Sequence, residues 1–151
     1  MPSYRHATPG SVVVSKRAVV SDALVRNSTT EVQIQQPKNS VVDQVYLRCL
    51  EGAKLDAVGD IGLRVGTESD GAQAVATQPD AILDGGTTVP AGFMLELAPT
   101  STVSYSAASN AAPKAVVQAE DRTLYCTLVA PDVAITDAGK FEWTIVFRIV
   151  D

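Results

Sequence analysis

At 151 residues the chain has room for one domain of ordinary size and no second catalytic one. Hydrophobic residues make up 46% of it, but 20 are Ala and 21 are Val, so the core must be assembled largely from small side chains. Aromatic residues at 5% and a net charge of −5 argue against a many-ringed carbohydrate platform and against a surface that stacks or neutralises nucleic acid.

Charge is unevenly distributed. Residues 1–30 hold Arg5, Lys16, Arg17 and Arg26 against Asp22, a net of +3, while the other 121 residues carry 8 positive and 16 negative charges, a net of −8. This split reads as a basic N-terminal arm (1–30) ahead of an acidic body (31–151), the arm docking on an acidic partner or a neighbouring copy. A chance excess of a few charges is the bland alternative. Three net charges are too sparse to hold a phosphate backbone. No run reaches the 18 apolar residues that a membrane-spanning helix needs; the strongest late run already contains Arg148. The stretch from Met1 to His6 lacks the apolar segment of a secretion signal, so the expectation is a soluble protein made in the cytoplasm, with Cys49 and Cys126 reduced and buried as small hydrophobes.

In chain order, the β-branched run at residues 11–20 can serve as an edge strand, with Lys16 and Arg17 discouraging stray pairing. Val32 and Ile34 alternate with Gln33 and Gln35 in a short strand stopped by Pro37. Val45, Leu47 and Cys49 form one face of a third strand, Ile61, Leu63 and Val65 of a fourth, and Phe93, Leu95 and Leu97 of a fifth. Residues 100–112 read as a Ser/Ala-rich loop with one short strand around Val103 and Tyr105. Residues 113–119 are the best helix candidate, although Val116 and Val117 suit a strand equally well. Leu124, Cys126 and Leu128 mark another strand. The turn-like stretch at 137–140 suggests a hairpin between residues 133–135 and the last strand, whose Phe141, Trp143, Ile145, Phe147 and Ile149 face one way. Gly and Pro punctuate the gaps at roughly ten-residue spacing, the mark of an antiparallel β-sandwich or barrel. No fixed period repeats, which argues against a solenoid or propeller.

Catalytic chemistry is poorly served. His6 is the single histidine and lies in a stretch without periodicity, and Cys49, Cys126 and His6 share no zinc-ligand spacing. Asp43, Asp60, Asp84, Glu96 and Asp121 leave a glycosidase pair open by composition alone, but the one tryptophan, Trp143, sits on the apolar face of a strand and reads as core. Asp80 and Asp84 lack the dense spacing of a calcium loop and read as turn caps. Gly59, Gly62 and Gly66 straddle a strand instead of opening a helix, so they mark bulges or close packing and not a phosphate loop. The expectation is a protein with no metal, no cofactor and no enzymatic activity.

Three stretches carry a resemblance: Val41-Val42-Asp43-Gln44-Val45-Tyr46-Leu47, Gly59-Asp60-Ile61-Gly62-Leu63-Arg64-Val65-Gly66-Thr67, and the closing Ala138-Gly139-Lys140-Phe141-Glu142-Trp143-Thr144-Ile145-Val146-Phe147-Arg148-Ile149-Val150. In style they resemble the small accessory proteins of tailed-phage capsids, especially those of marine cyanobacterial phages, over residues 41–151. The resemblance implies an all-β, jelly-roll-like antiparallel sandwich, and the charge split adds an extended N-terminal arm, the part that the resemblance matches least. It further implies a capsid decoration or cement protein that binds the major capsid protein on the shell exterior as a homo-oligomer, dimer or trimer, without nucleic acid, membrane or catalytic residues. Arg5, Lys16, Arg17 and Arg26 are the candidate capsid or subunit contacts. The alternative function is a glycan- or receptor-binding domain of a phage fibre or tail, read out through Tyr46, Tyr105 and Tyr125.

Overall fold

Alternation of apolar and polar residues leaves most strands with one face to bury, and two sheets meeting face to face bury those faces together. The computed structural model describes residues 12–57, 59–71, 74–83, 89–99 and 120–150. Among these residues the strands are β1 (Val12–Val19), β2 (Thr29–Gln36), β3 (Ser40–Glu51), β4 (Lys54–Leu55), β5 (Gly59–Gly66) and β6 (Ala74–Leu83). They continue with β7 (Met94–Glu96), β8 (Ala98–Pro99), β9 (Arg122–Val129), β10 (Ile135–Asp137) and β11 (Lys140–Ile149). A 3-10 turn at Ser69–Gly71 is the one helical element among the described residues. The segments at 100–112 and 113–119, and Asp84, lie outside them.

One sheet has the order β1-β11-β3-β7 and the other β2-β9-β5-β6-β8, with every pairing antiparallel. With β4, β8 and β10 set aside as short additions, the eight main strands in chain order fall as 1-8-3-6 and 2-7-4-5. That interleaving of early and late strands is the double Greek key of a jelly roll.

Register aligns the inward side chains into rows. In the first sheet, Ala18, Trp143, Leu47 and Leu95 stand in line, and Val14, Phe147 and Val42 form another row. In the second, Val32, Cys126 and Val65 align, as do Thr30, Leu128 and Leu63. Apart from the half-buried Val14 and the polar Thr30, these residues lie in or against one buried cluster, in which Trp143, Phe147, Ile145, Leu63, Leu124 and Leu128 are essentially inaccessible to solvent. Residues ahead of position 31 also contribute: β1 pairs with β11 along all its length, and Val20 and Leu24 are buried in the same cluster.

Three features differ from the reading of the sequence. The stretch at 137–140 is not a hairpin turn. β10 pairs with β4, while β11 pairs with β1 and β3, so β3–β4 and β10–β11 form a two-stranded ribbon that bends around Gly139. The backbone there has φ +67°, and a Cβ on Gly139 would sit 2.7 Å from the Ala53 Cβ and 2.9 Å from the Glu51 carbonyl oxygen. Phe93 is exposed rather than inward, because it leaves the turn at Gly92 just before β7 begins. β6 has no clear alternation in sequence; its register against β5 slips between Ile61 and Leu63, which leaves Pro79 and Asp80 in a bulge where no ladder donor is needed.

Candidate functional site

The four basic residues singled out by charge do not converge. Arg5 lies outside the described residues. Lys16 stands directly across from Ile145, in an inward row, half-buried at the sheet edge. An inward charge at that place lets the aliphatic stem pack while the ammonium keeps water beside it, which deters uncontrolled pairing along the edge. Arg17 stands across from Thr144 on the opposite, solvent-facing side and is exposed. Arg26, in the connection from β1 to β2, donates from Nε to Asp132 Oδ1 at 2.7 Å, but both side chains are more than half exposed, so the pair contributes little to stability.

Exposed apolar side chains are more informative. Val12, Val13, Val19, Val25, Phe93 and Met94 are the large hydrophobic residues left in solvent among those described. All of them belong to the β1 edge of the four-stranded sheet, its β7 edge, or the chain adjoining those edges. Val13 is 53% and Met94 54% exposed, values that single out two apolar margins flanking a mixed polar face. Between the margins run Thr144 and Tyr46 in one row, Glu142 and Arg48 in the next, and Arg148 with Asp43 at 3.8 Å near one end. The alternation in the sequence sets Met94 and Glu96 on the face opposite Phe93, Leu95 and Leu97, and the two are exposed; it does not place their strand at a sheet edge. The signal available was the shortness of the strand after the Pro90-Ala91-Gly92 turn, since short strands gravitate to sheet edges.

No cluster of three metal-ligating side chains occurs among the described residues. The carboxylates weighed as a catalytic pair are dispersed: Asp43 faces Arg148, Asp121 Oδ1 accepts the Lys38 backbone N–H at 2.7 Å, Glu96 is exposed on β7, and Asp60 sits on β5 of the other sheet. Tyr46 and Tyr125 lie half-buried on different sheets, and Tyr105 is outside the described residues. Trp143 is core, as its place on the apolar face requires. Both thiols are unpaired. Burial pushes Cys49 up, partly offset by a hydrogen bond with the Ala53 backbone, and burial together with the Glu31 charge pushes Cys126 up strongly, so neither is a ready nucleophile.

One buried polar group stands apart. Arg122 Nε donates to Gln36 Oε1 at 2.6 Å, and Gln36 Nε2 donates to the Ser40 carbonyl at 3.0 Å, tying the start of β9 to the turn between β2 and β3. Burial pulls the Arg122 guanidinium down to about 10, which leaves it charged at neutral pH. Its part is structural cross-linking of the two sheets at that turn.

No protein-family model matches the chain, and no curated protein matches it. Among solved structures, a chain of the "Cyanophage Pam1 capsid asymmetric unit" is similar, at 15% sequence identity and a TM-score of 0.56, over 99% of this chain and 92% of that one. At that identity the likeness shows a shared fold, and it spans both sheets.

Proposed function

We propose that the chain is a non-enzymatic structural protein of a phage virion, a capsid decoration or cement protein that binds the exterior of the shell and stabilises it. In this reading it is made in the host cytoplasm, self-associates as a small homo-oligomer, and contacts the major capsid protein. The observation that carries the reading is the jelly roll shared, from end to end, with a chain of a cyanophage capsid unit. It is supported by the apolar margins of the four-stranded sheet, which suit lateral contacts in a lattice. The basic segment carrying Arg5, Lys16, Arg17 and Arg26 supplies charge complementary to acidic neighbours, which speeds encounter more than it adds affinity.

Cosedimentation of the purified protein with undecorated phage shells tests the proposal. Saturable binding with a fixed number of copies per shell, together with a raised temperature of shell disruption, is the expected result. Absence of binding to shells, combined with retention on a glycan array, would replace it with the fibre-domain alternative.

A further inference from the structure

Both margins of the four-stranded sheet carry apolar and charged residues in matching rows. Register across the sheet places Arg17, Thr144, Tyr46 and Glu96 in one solvent-facing row, and Val19, Glu142, Arg48 and Met94 in the next. Each row therefore begins on β1 and ends on β7, the first with opposite charges at its two ends and the second with apolar side chains at both. Among the described residues no strand pairs with the free side of either edge.

Backbone polarity narrows the options further. Val20 N–H donates to Phe141 O at 2.8 Å, so the even-numbered residues of β1 aim their peptide groups at β11, and Val13, Ser15, Arg17 and Val19 aim theirs outward. Cys49 N–H donates to Phe93 O at 2.8 Å and Leu97 N–H to Val45 O at 2.9 Å, so Met94 and Glu96 are the β7 residues with outward peptide groups. An antiparallel partner must oppose outward residues with outward residues. Three nearby registers do so. Of these, one sets Glu96 against Ser15 and Met94 against Arg17, and another sets Glu96 against Val19. The third alone opposes Glu96 to Arg17 and Met94 to Val19 together, with Leu95 and Ala18 meeting on the inward side.

We infer that the β7 edge of one copy pairs with the β1 edge of the next in this register, Glu96 against Arg17 and Met94 against Val19, so that the sheet continues from copy to copy. The occupant of each edge is thus a second copy of this chain. Strand order supports the geometry: β1 and β7 run antiparallel to each other within the sheet, so β1 of the next copy extends the same alternation. The contact is head-to-tail, because it uses two different surfaces, and it closes into a ring when the rotation per copy permits. Lys16 on the inward row keeps the edge from accepting unrelated strands, while Arg17 selects a partner with a carboxylate at the matching position. The inference gives a surface to the self-association in the proposed function and rests on that reading.

Mass measurement by light scattering and sedimentation equilibrium on the full chain, with Arg17→Glu, Glu96→Arg and the double exchange, tests it. Both side chains are exposed, so the variants are expected to keep the wild-type far-ultraviolet circular dichroism. Each single reversal should weaken association at least tenfold, and the double exchange should restore it. A second measurement uses Val19→Cys and Met94→Cys chains mixed and treated with a short bismaleimide: a covalent dimer is expected, and none with Val13→Cys in place of Val19→Cys. Wild-type association unaffected by either reversal, no rescue by the double exchange, or no cross-link in the mixed sample would each overturn the pairing. A wild-type monomer that still coats shells would refute this interface and leave capsid binding standing, whereas rescued self-association without shell binding would do the reverse.

Discussion

Trp143 is wholly buried, with Leu47 on one side of its row and Ala18 on the other. Truncation to Ala removes the largest side chain of the core and leaves a cavity, so W143A should lose about 3–5 kcal/mol of stability in urea denaturation, enough to unfold a marginal domain. A loss near that of a surface substitution would show that the ring is not packed as described. The thiols make a second residue-scale prediction. Both are held above the usual thiol value of 9.0 by burial, so the folded state keeps protons that the unfolded state releases. Their stabilising contribution is complete below pH 9 and declines as pH rises from there through the folded values. Thermal midpoints measured from pH 7 to pH 10.5 should fall above pH 9, and the fall should be shallower in a Cys49→Ala/Cys126→Ala variant; an identical slope would contradict the assignment. Thiol titration should find two reactive groups per chain after unfolding and very slow reaction before it.

The bent ribbon of β3–β4 and β10–β11 depends on one backbone position. Gly139 combines φ +67° with a neighbour that leaves no space for a Cβ, while Gly92, with φ +92°, has nothing within 4 Å of one. Gly92→Ala should cost only the conformational strain, about 1–2 kcal/mol, and Gly139→Ala clearly more, because Ala53 and the Glu51 carbonyl must also move. Comparison of the two denaturation midpoints checks the order. The same ribbon shows where sequence reading stops. β3, β5, β9 and β11 were legible because over much of each the apolar residues alternate with polar ones, and period two survives whatever sheet the strand joins; the switch of inward parity in β3 between Val42 and Val45 follows from the register slip against β11 and is not visible in composition. The hairpin expected at 137–140 failed because composition reveals a bend but not the partner, and here the partner of β10 is β4. β6 was not legible, since Pro79 and Asp80 interrupt its pattern and only the bulge opposite Gly62 explains how it stays in the sheet. Lys16 and Arg17 could be picked out as charges, but the side each one faces follows from the pairing with β11, and Glu96 gains its place opposite them only once β7 is known to be an edge.

For the whole molecule, the decisive fact is that β1 and the two buried residues after it belong to the sandwich. Removal of residues 1–30 strips one neighbour from β11 and takes Val20 and Leu24 from the core. The expected outcome is loss of cooperative thermal unfolding and exposure of apolar surface to a hydrophobic dye; a sharp transition close to wild type would show the segment to be dispensable for folding. The jelly-roll order also imposes a schedule on the chain as it is made. Val12 is partnered by Ile149 and Thr29 by Val129, and the strands that supply these partners, β11 and β9, are synthesised long after β1 and β2. At about 5–20 residues per second, β1 and β2 leave the ribosome on the order of 5–25 s before those partners exist. Through that interval the nascent chain carries β-branched segments unpaired, in the regime where long-range pairing is slow and chaperones hold the intermediate. A ribosome-stalled chain ending at residue 139 should remain protease-sensitive throughout, and protection should arrive in a single step once β11 has cleared the exit tunnel.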